Sequence, residues 1–251
     1  MQKKLNIAIL SVLILSVIIV GIFNLNQKSV FKVEKNLPIY AVETKEKKVS
    51  LTFDVNYAEE DNLFRILDIL DKYNIKGTFF VMGGWVNKSE ENLDKLKLIH
   101  ERGHEIGNHS YIHPMFTRIS SERMVSEIKK TEDIIYRSIG VKTNLFRCPS
   151  GDYNNLVINV VNRLGYYCIQ WDVDSVDWKN EGAEIEYNRV IKNIKPGSII
   201  LYHNDGKYTP GNLQKLIKNL KKEGYSFAPL GELIYKDHYI IDYNGRQQKT
   251  N

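Results

Sequence analysis

From Lys48 onward the chain switches repeatedly between two hydrophobic periods. Val49, Leu51 and Phe53 alternate as in a strand that ends at Asp54, and Leu63, Ile66, Leu67 and Leu70 then take helical spacing. Gly77 to Val81 predicts a short buried strand, and Ser89 predicts the N-cap of a helix through Leu93, Leu96 and Ile99 that closes at Gly103. Glu105–His109 reads as a strand, and about Ser121 to Ile139 as a longer helix stopped by Gly140. The alternation continues through strand Asn144–Arg147, a helix from Asn154 to Leu164, strand Tyr167–Asp172 and a helix near Ala183–Ile194. Strand Ser198–His203, a helix over Asn212–Glu223 and strand Ser226–Ala228 complete it. Seven strands separated by helices predict parallel β/α units, arranged as a barrel or an open sheet.

The N-terminus follows another pattern. After Lys3 and Lys4, the 17 residues from Ile7 to Phe23 carry no charge, which predicts one membrane-spanning helix with everything beyond residue 24 outside. A cleavable signal peptide is the competing reading, but Asn24-Leu25-Asn26-Gln27-Lys28 offers no small-x-small site, and an uncleaved anchor is favoured. Residues 25–44, mixed in charge and containing Pro38, predict a stalk, the alternative being that part of them packs as an edge strand. The domain is then expected over residues 45–236, with a C-terminal tail over 237–251.

Composition changes this picture at two points. With 43% hydrophobic and 26% charged residues, the 251-residue chain is neither disordered nor collagen-like nor polytopic, and one monomeric domain is expected. The net charge of +5 invites a nucleic-acid reading, yet residues 1–48 hold eight lysines and three glutamates, leaving 27 basic against 27 acidic groups beyond them. The excess is topology at a membrane surface, and no nucleic-acid partner is expected. Two cysteines, Cys148 and Cys168, build no disulfide scaffold; outside the cell they could pair, and two free buried thiols fit equally well.

In β/α folds active sites collect where strands end. Here those positions carry Asp54, His109, Arg147, Asp172 with Asp174, and His203. His109 and His113, four residues apart, suit a divalent metal if the segment turns helically, with Asp54 as third ligand or as general base. His100 and His104 share the spacing but flank a helix end, where a cation facing the helix C-terminus explains them.

Five segments in order, Thr52-Phe53-Asp54, His109-Ser110-Tyr111-Ile112-His113-Pro114, Arg147-Cys148-Pro149-Ser150-Gly151, Asp174-Ser175-Val176-Asp177-Trp178 and Leu201-Tyr202-His203, resemble the motifs of polysaccharide deacetylases with the NodB homology domain, carbohydrate esterase family 4. The resemblance covers about residues 45–235. It implies a distorted (β/α) barrel of about seven parallel strands that binds zinc, or cobalt or manganese, and hydrolyses N-acetyl groups on a polymeric amino sugar. Carried onto this chain, it makes His109 and His113 metal ligands, Asp54 the base and His203 the general acid. Arg147 would tune Asp54, and Asp174 would tune His203. The Ser150 N–H would hold an oxyanion, and Trp178 and Leu201 would wall the acetyl pocket.

One position departs from that pattern. The family's first motif has a second aspartate as metal ligand, and Val55 stands there. Three outcomes follow: Asp54 ligates instead, an acid among Glu59, Glu60 and Asp61 substitutes, or metal binding is weak. The run Phe53 to Glu60 is similar to a membrane-anchored branch from spore-forming bacteria in which an aliphatic residue also follows the first aspartate, implying a spore or cell-wall glycan substrate. An active peptidoglycan N-deacetylase and a weak or inactive glycan-binding relative are both carried forward.

Overall fold

The structure, a computed structural model, describes residues 36–250, so the apolar run and the first part of the stalk lie outside the described residues. Among the described residues no helix is long and apolar enough to cross a membrane. The chain runs β1 (Ala41–Val42), β2 (Lys48–Val55), α1 (Leu63–Lys72), β3 (Thr78–Val81), α2 (Gly83–Val86), α3 (Glu90–Glu101), β4 (Glu105–Asn108), α4 (Ser121–Ile139), β5 (Leu145–Arg147) and α5 (Asn155–Arg163). It continues through β6 (Tyr167–Ile169), β7 (Val173–Asp174), α6 (Ala183–Ile191), β8 (Ile199–His203), α7 (Thr209–Lys222), β9 (Ser226–Phe227), α8 (Leu230–Leu233), β10 (Tyr239–Ile241) and β11 (Arg246–Lys249).

Seven strands form a parallel half-barrel in the order β6-β5-β4-β3-β2-β8-β7, a distorted (β/α) barrel, and β9 pairs with the start of β2. Strand β2 is central because both of its faces are covered. Val49, Leu51, Phe53 and Val55 pack in one apolar cluster with Leu63, Ile66 and Leu67 of α1 and Leu213, Leu216 and Ile217 of α7. The alternate residues Ser50, Thr52 and Asp54 take the other face. A second cluster joins Phe80, Leu145, Ile169 and Ile199 of the sheet to Leu230 and Leu233 of α8. Helix α4 ends as its sequence dictates: the Ser120 side chain accepts the Arg123 N–H at the start, and Gly140, at φ +72°, stops it in the left-handed region.

The structure corrects four expectations. Residues 36–44 are not stalk but follow the packed-strand alternative: Ile39 bridges to Ile169 of β6, Ala41 bridges to Ser198, and Ile39, Ala41 and Val42 are buried. This segment links the β6 edge to the residues that lead into β8. The segment expected as a C-terminal tail forms strands over its described part, since β11 pairs in parallel with β1 and antiparallel with β10. The strand expected over Tyr167–Asp172 divides, β6 pairing with β5 and β7 with β8. His104 is no helix-end cation. It is buried, burial pushes its pKa down to about 4, and its Nδ1 accepts the Gly77 N–H. Cys148 and Cys168 are free buried thiols with sulfurs 3.8 Å apart.

Candidate active site

The C-terminal ends of the strands bring the polar residues together. Asp54 and His203 are register partners on β2 and β8, so the two side chains start from adjacent positions. A cavity of about 440 Å³ opens over them, lined by Asp54, Asn56, His113, Ser150, Trp171, Asp174, Trp178, Leu201, His203 and Asp205. Seven of the nine residues singled out in the sequence lie on this wall. The other two, Arg147 and His109, lie directly behind Asp54.

Asp54 is 4% exposed and is held from two sides. Its Oδ1 accepts from Arg147 Nη1 at 2.8 Å, and its Oδ2 lies 3.4 Å from His109 Nε2. Burial favours the protonated acid, but the Arg147 guanidinium, with His109 and His203, outweighs it and holds the Asp54 pKa below its usual value. Arg147 is fully buried, donates also to the Gln170 carbonyl, and stacks 4.2 Å from the centre of the Phe80 ring. The guanidinium has little freedom to release Asp54.

His203 carries the opposite charge preference. Burial disfavours its imidazolium, but a 2.7 Å hydrogen bond from Nδ1 to Asp177 Oδ1, and that carboxylate's charge, raise the pKa to about 9. Asp177 is fixed in turn by the backbone N–H of His203 and of Trp178 and by the Thr209 hydroxyl. The residue expected to tune His203, Asp174, does something else. Its Oδ1 accepts the Val176 N–H and its Oδ2 the Trp171 indole N–H. The reason is register: Asp174 pairs with Leu201, two residues short of His203, whereas Asp177 lies three residues further along. Val176 between them sits at φ +53°, a costly conformation for a β-branched side chain, which Asp174 helps to hold. The Asp-x-x-Asp-Trp spacing was the available signal for Asp177.

His109 and His113 converge without the helical turn expected for them. Ser110 and His113 have positive φ, and the two imidazole centroids lie 4.8 Å apart. His109 is buried, and burial lowers its pKa to about 4; His113 is shifted down by the same cause. Because the Arg147 carbonyl can only accept, His109 Nδ1 donates to it at 2.9 Å, and Nε2 carries the lone pair. Two electron-rich atoms, His109 Nε2 and Asp54 Oδ2, therefore face each other. That donor set fits a divalent ion at two imidazole positions. The third position of the family pattern does not fit, since Val55 is fully buried in the apolar cluster. Among the described residues no group of three or more His, Cys, Asp or Glu side chains is placed to hold a metal. Ser150 lies at φ +54° in the turn Pro149–Gly151, Leu201 is a buried wall residue, and Trp178 is 54% exposed at the rim.

A half-barrel with a buried carboxylate–guanidinium pair, a carboxylate-backed imidazole and a two-histidine turn around one cavity defines a hydrolase-type site. The polysaccharide deacetylase family model matches residues 41–169, and the chain belongs to that family. It is 36% identical over 81% of its length, and 78% of the other protein's, to peptidoglycan-N-acetylmuramic acid deacetylase PdaA of Bacillus subtilis. Among solved structures it is similar to BA3943, a CE4 family pseudoenzyme from Bacillus anthracis, at 36% identity and TM-score 0.73, covering 78% of this chain and 68% of that one. A BA3943 mutant with restored enzymatic activity matches at 37% identity and TM-score 0.73, covering 78% and 70%.

Proposed function

We propose that this chain is an extracytoplasmic N-deacetylase of amino sugars in peptidoglycan or a related spore or cell-wall glycan, held at the membrane by Ile7–Phe23. The observation that carries the reading is the pairing of opposite protonation states across one cavity: Asp54 is held ionised by Arg147, and His203 is held protonated by Asp177. In the reaction Asp54 takes a proton from the attacking water as its oxygen bonds to the acetyl carbon. His203 Nε2–H then protonates the amide nitrogen, the C–N bond breaks, and acetate and a free amine leave. Ser150 and the buried Leu201 face the acetyl group, and Trp178 offers its exposed ring to the sugar. A divalent ion, zinc, cobalt or manganese, on His109 and His113 supplies Lewis-acid polarisation of the acetyl carbonyl when bound.

A second reading is favoured by Val55. With one ligand position apolar, the same cavity serves as a weak or inactive glycan-binding site. Acetate release from peptidoglycan fragments separates the two: the wild type with zinc or cobalt releases acetate and His203→Ala does not. Equal silence from both proteins, with glycan still retained, replaces the enzyme by the binding protein.

A further inference from the structure

The turn that carries His109 and His113 is clamped from outside, and the clamp converges on one residue that lies outside all five motifs. Ser110 to His113 has no helical or sheet hydrogen bonds to fix it, yet all four of its backbone N–H groups are bonded. The Ser110 N–H donates to Asn108 Oδ1, the N–H groups of Tyr111 and Ile112 both donate to Glu127 Oε2 at 2.9 Å, and the His113 N–H donates to Ser110 Oγ. On the other side the carbonyls of Ser110 and Tyr111 accept from Gly83 and Gly84 at the start of α2. A Cβ at Gly84 would lie 2.6 Å from the Tyr111 oxygen, so this approach requires glycine.

Glu127 sits on the second turn of α4, 1% exposed, with its other oxygen 2.6 Å from Arg123 Nη2. A buried carboxylate in that position is costly unless its acceptor sites are filled. Here they are filled by two consecutive amides of the histidine turn and one guanidinium. We propose that Glu127 is the positioning residue of the two-histidine site: it holds Tyr111 and Ile112 so that His113 returns to His109 despite the positive φ at Ser110 and His113. The geometry thus makes α4 part of the site's outer support, acting through the backbone rather than touching the substrate. The inference rests on the family reading only in taking His109 and His113 as the ligand pair.

The test uses cobalt(II) binding to the full chain, followed by calorimetry and by the cobalt visible spectrum, with thermal unfolding as the check on the fold. Glu127→Ala is expected to weaken cobalt binding on the order of 10–100-fold, the usual penalty for losing an outer-sphere support, and to alter the spectrum. Glu127→Gln, which keeps an acceptor oxygen, is expected to restore part of both, and it serves if the alanine variant does not fold. Arg123→Ala removes the outer ion pair but not the amide clamp, and its cobalt affinity is expected to stay near that of the wild type. Unchanged cobalt affinity and spectrum in folded Glu127→Ala or Glu127→Gln overturn the inference, as does a wild type that takes up no cobalt. Cobalt binding that depends on Glu127 without any acetate release leaves the inference standing and overturns the deacetylase reading alone.

Discussion

The protonation of His203 depends on one neighbour. Burial alone favours the neutral ring, and the Asp177 carboxylate reverses that to give a pKa of about 9. If His203 is the acid that protonates the leaving amine, acetate release falls on the alkaline side as pH rises through about 9. In Asp177→Asn that limb is expected at or below the ordinary value of 6.5, whereas in Asp174→Asn it is expected to stay near 9, because Asp174 contacts the Val176 amide and the Trp171 indole. A kcat/KM profile for the two variants decides between the aspartates. The stability sign agrees: the folded-state pKa is raised, so the pair's contribution is complete below pH 6.5 and lost as pH rises through about 9. Urea unfolding on both sides of that window is expected to lose this pH dependence in Asp177→Asn. Most of the site was legible at the residue scale because chemistry-bearing side chains stood directly after apolar runs. The Asp174 assignment failed because a strand end marks a height in the barrel only to within a few residues. Asp177 reaches His203 from a turn beyond the strand.

At the scale of elements, β2 explains both the carboxylate it gives the cavity and the apolar residue beside it. Val49, Leu51, Phe53 and Val55 continue one apolar alternation, so Val55 belongs to the face that packs on α1 and α7 while Asp54 belongs to the site. Legible in the sequence was that Val55 cannot ligate; not legible was that an aspartate placed there would first point into a closed apolar layer. Val55→Asp is therefore expected to cost about 3–5 kcal/mol without metal, the magnitude of an uncompensated buried charge. If the end of β2 then turns the carboxylate toward His109 and His113, zinc or cobalt raises the melting temperature of the variant more than that of the wild type. Thermal unfolding with and without metal checks this, and a variant that melts low under both conditions shows that position 55 does not regain the ligand. The His109–His113 turn shows the complementary limit. Spacing suggested a helix, but the Glu127 carboxylate on α4, 16 residues beyond Tyr111 and 15 beyond Ile112, makes an irregular turn the stable one.

For the molecule as a whole, closure of the half-barrel depends on parts that local pattern assigned to a stalk and a tail. Ile39, Ala41 and Val42 find their partners at Ile169, Ser198 and Arg246–Gln247, more than a hundred residues away, so no short-range period marks them as strand. The periodic β/α units between Lys48 and Phe227 carried their own signal, and these segments did not. The consequence is that residues 39–42 and the C-terminal strands are structural parts of the domain. Gln247 makes the point in one side chain: it is fully buried, and it donates to the Tyr235 carbonyl at 2.6 Å and accepts the Tyr235 N–H at 2.7 Å. Deleting residues 237–251 removes both bonds and uncovers β1, which lies over the cluster of Phe80, Leu145, Ile169 and Ile199. The two hydrogen bonds alone imply a loss of about 2 kcal/mol, a fall of roughly 4–8 °C in Tm, with the uncovered apolar surface adding to it. The Asp54–Arg147 and His203–Asp177 pairs are made by residues the deletion leaves in the chain. The truncated chain is thus expected to keep its pH profile below its melting temperature while losing stability. A truncation that left Tm unchanged would mean that the C-terminal strands are ornament, and that residues 39–42 alone close the barrel.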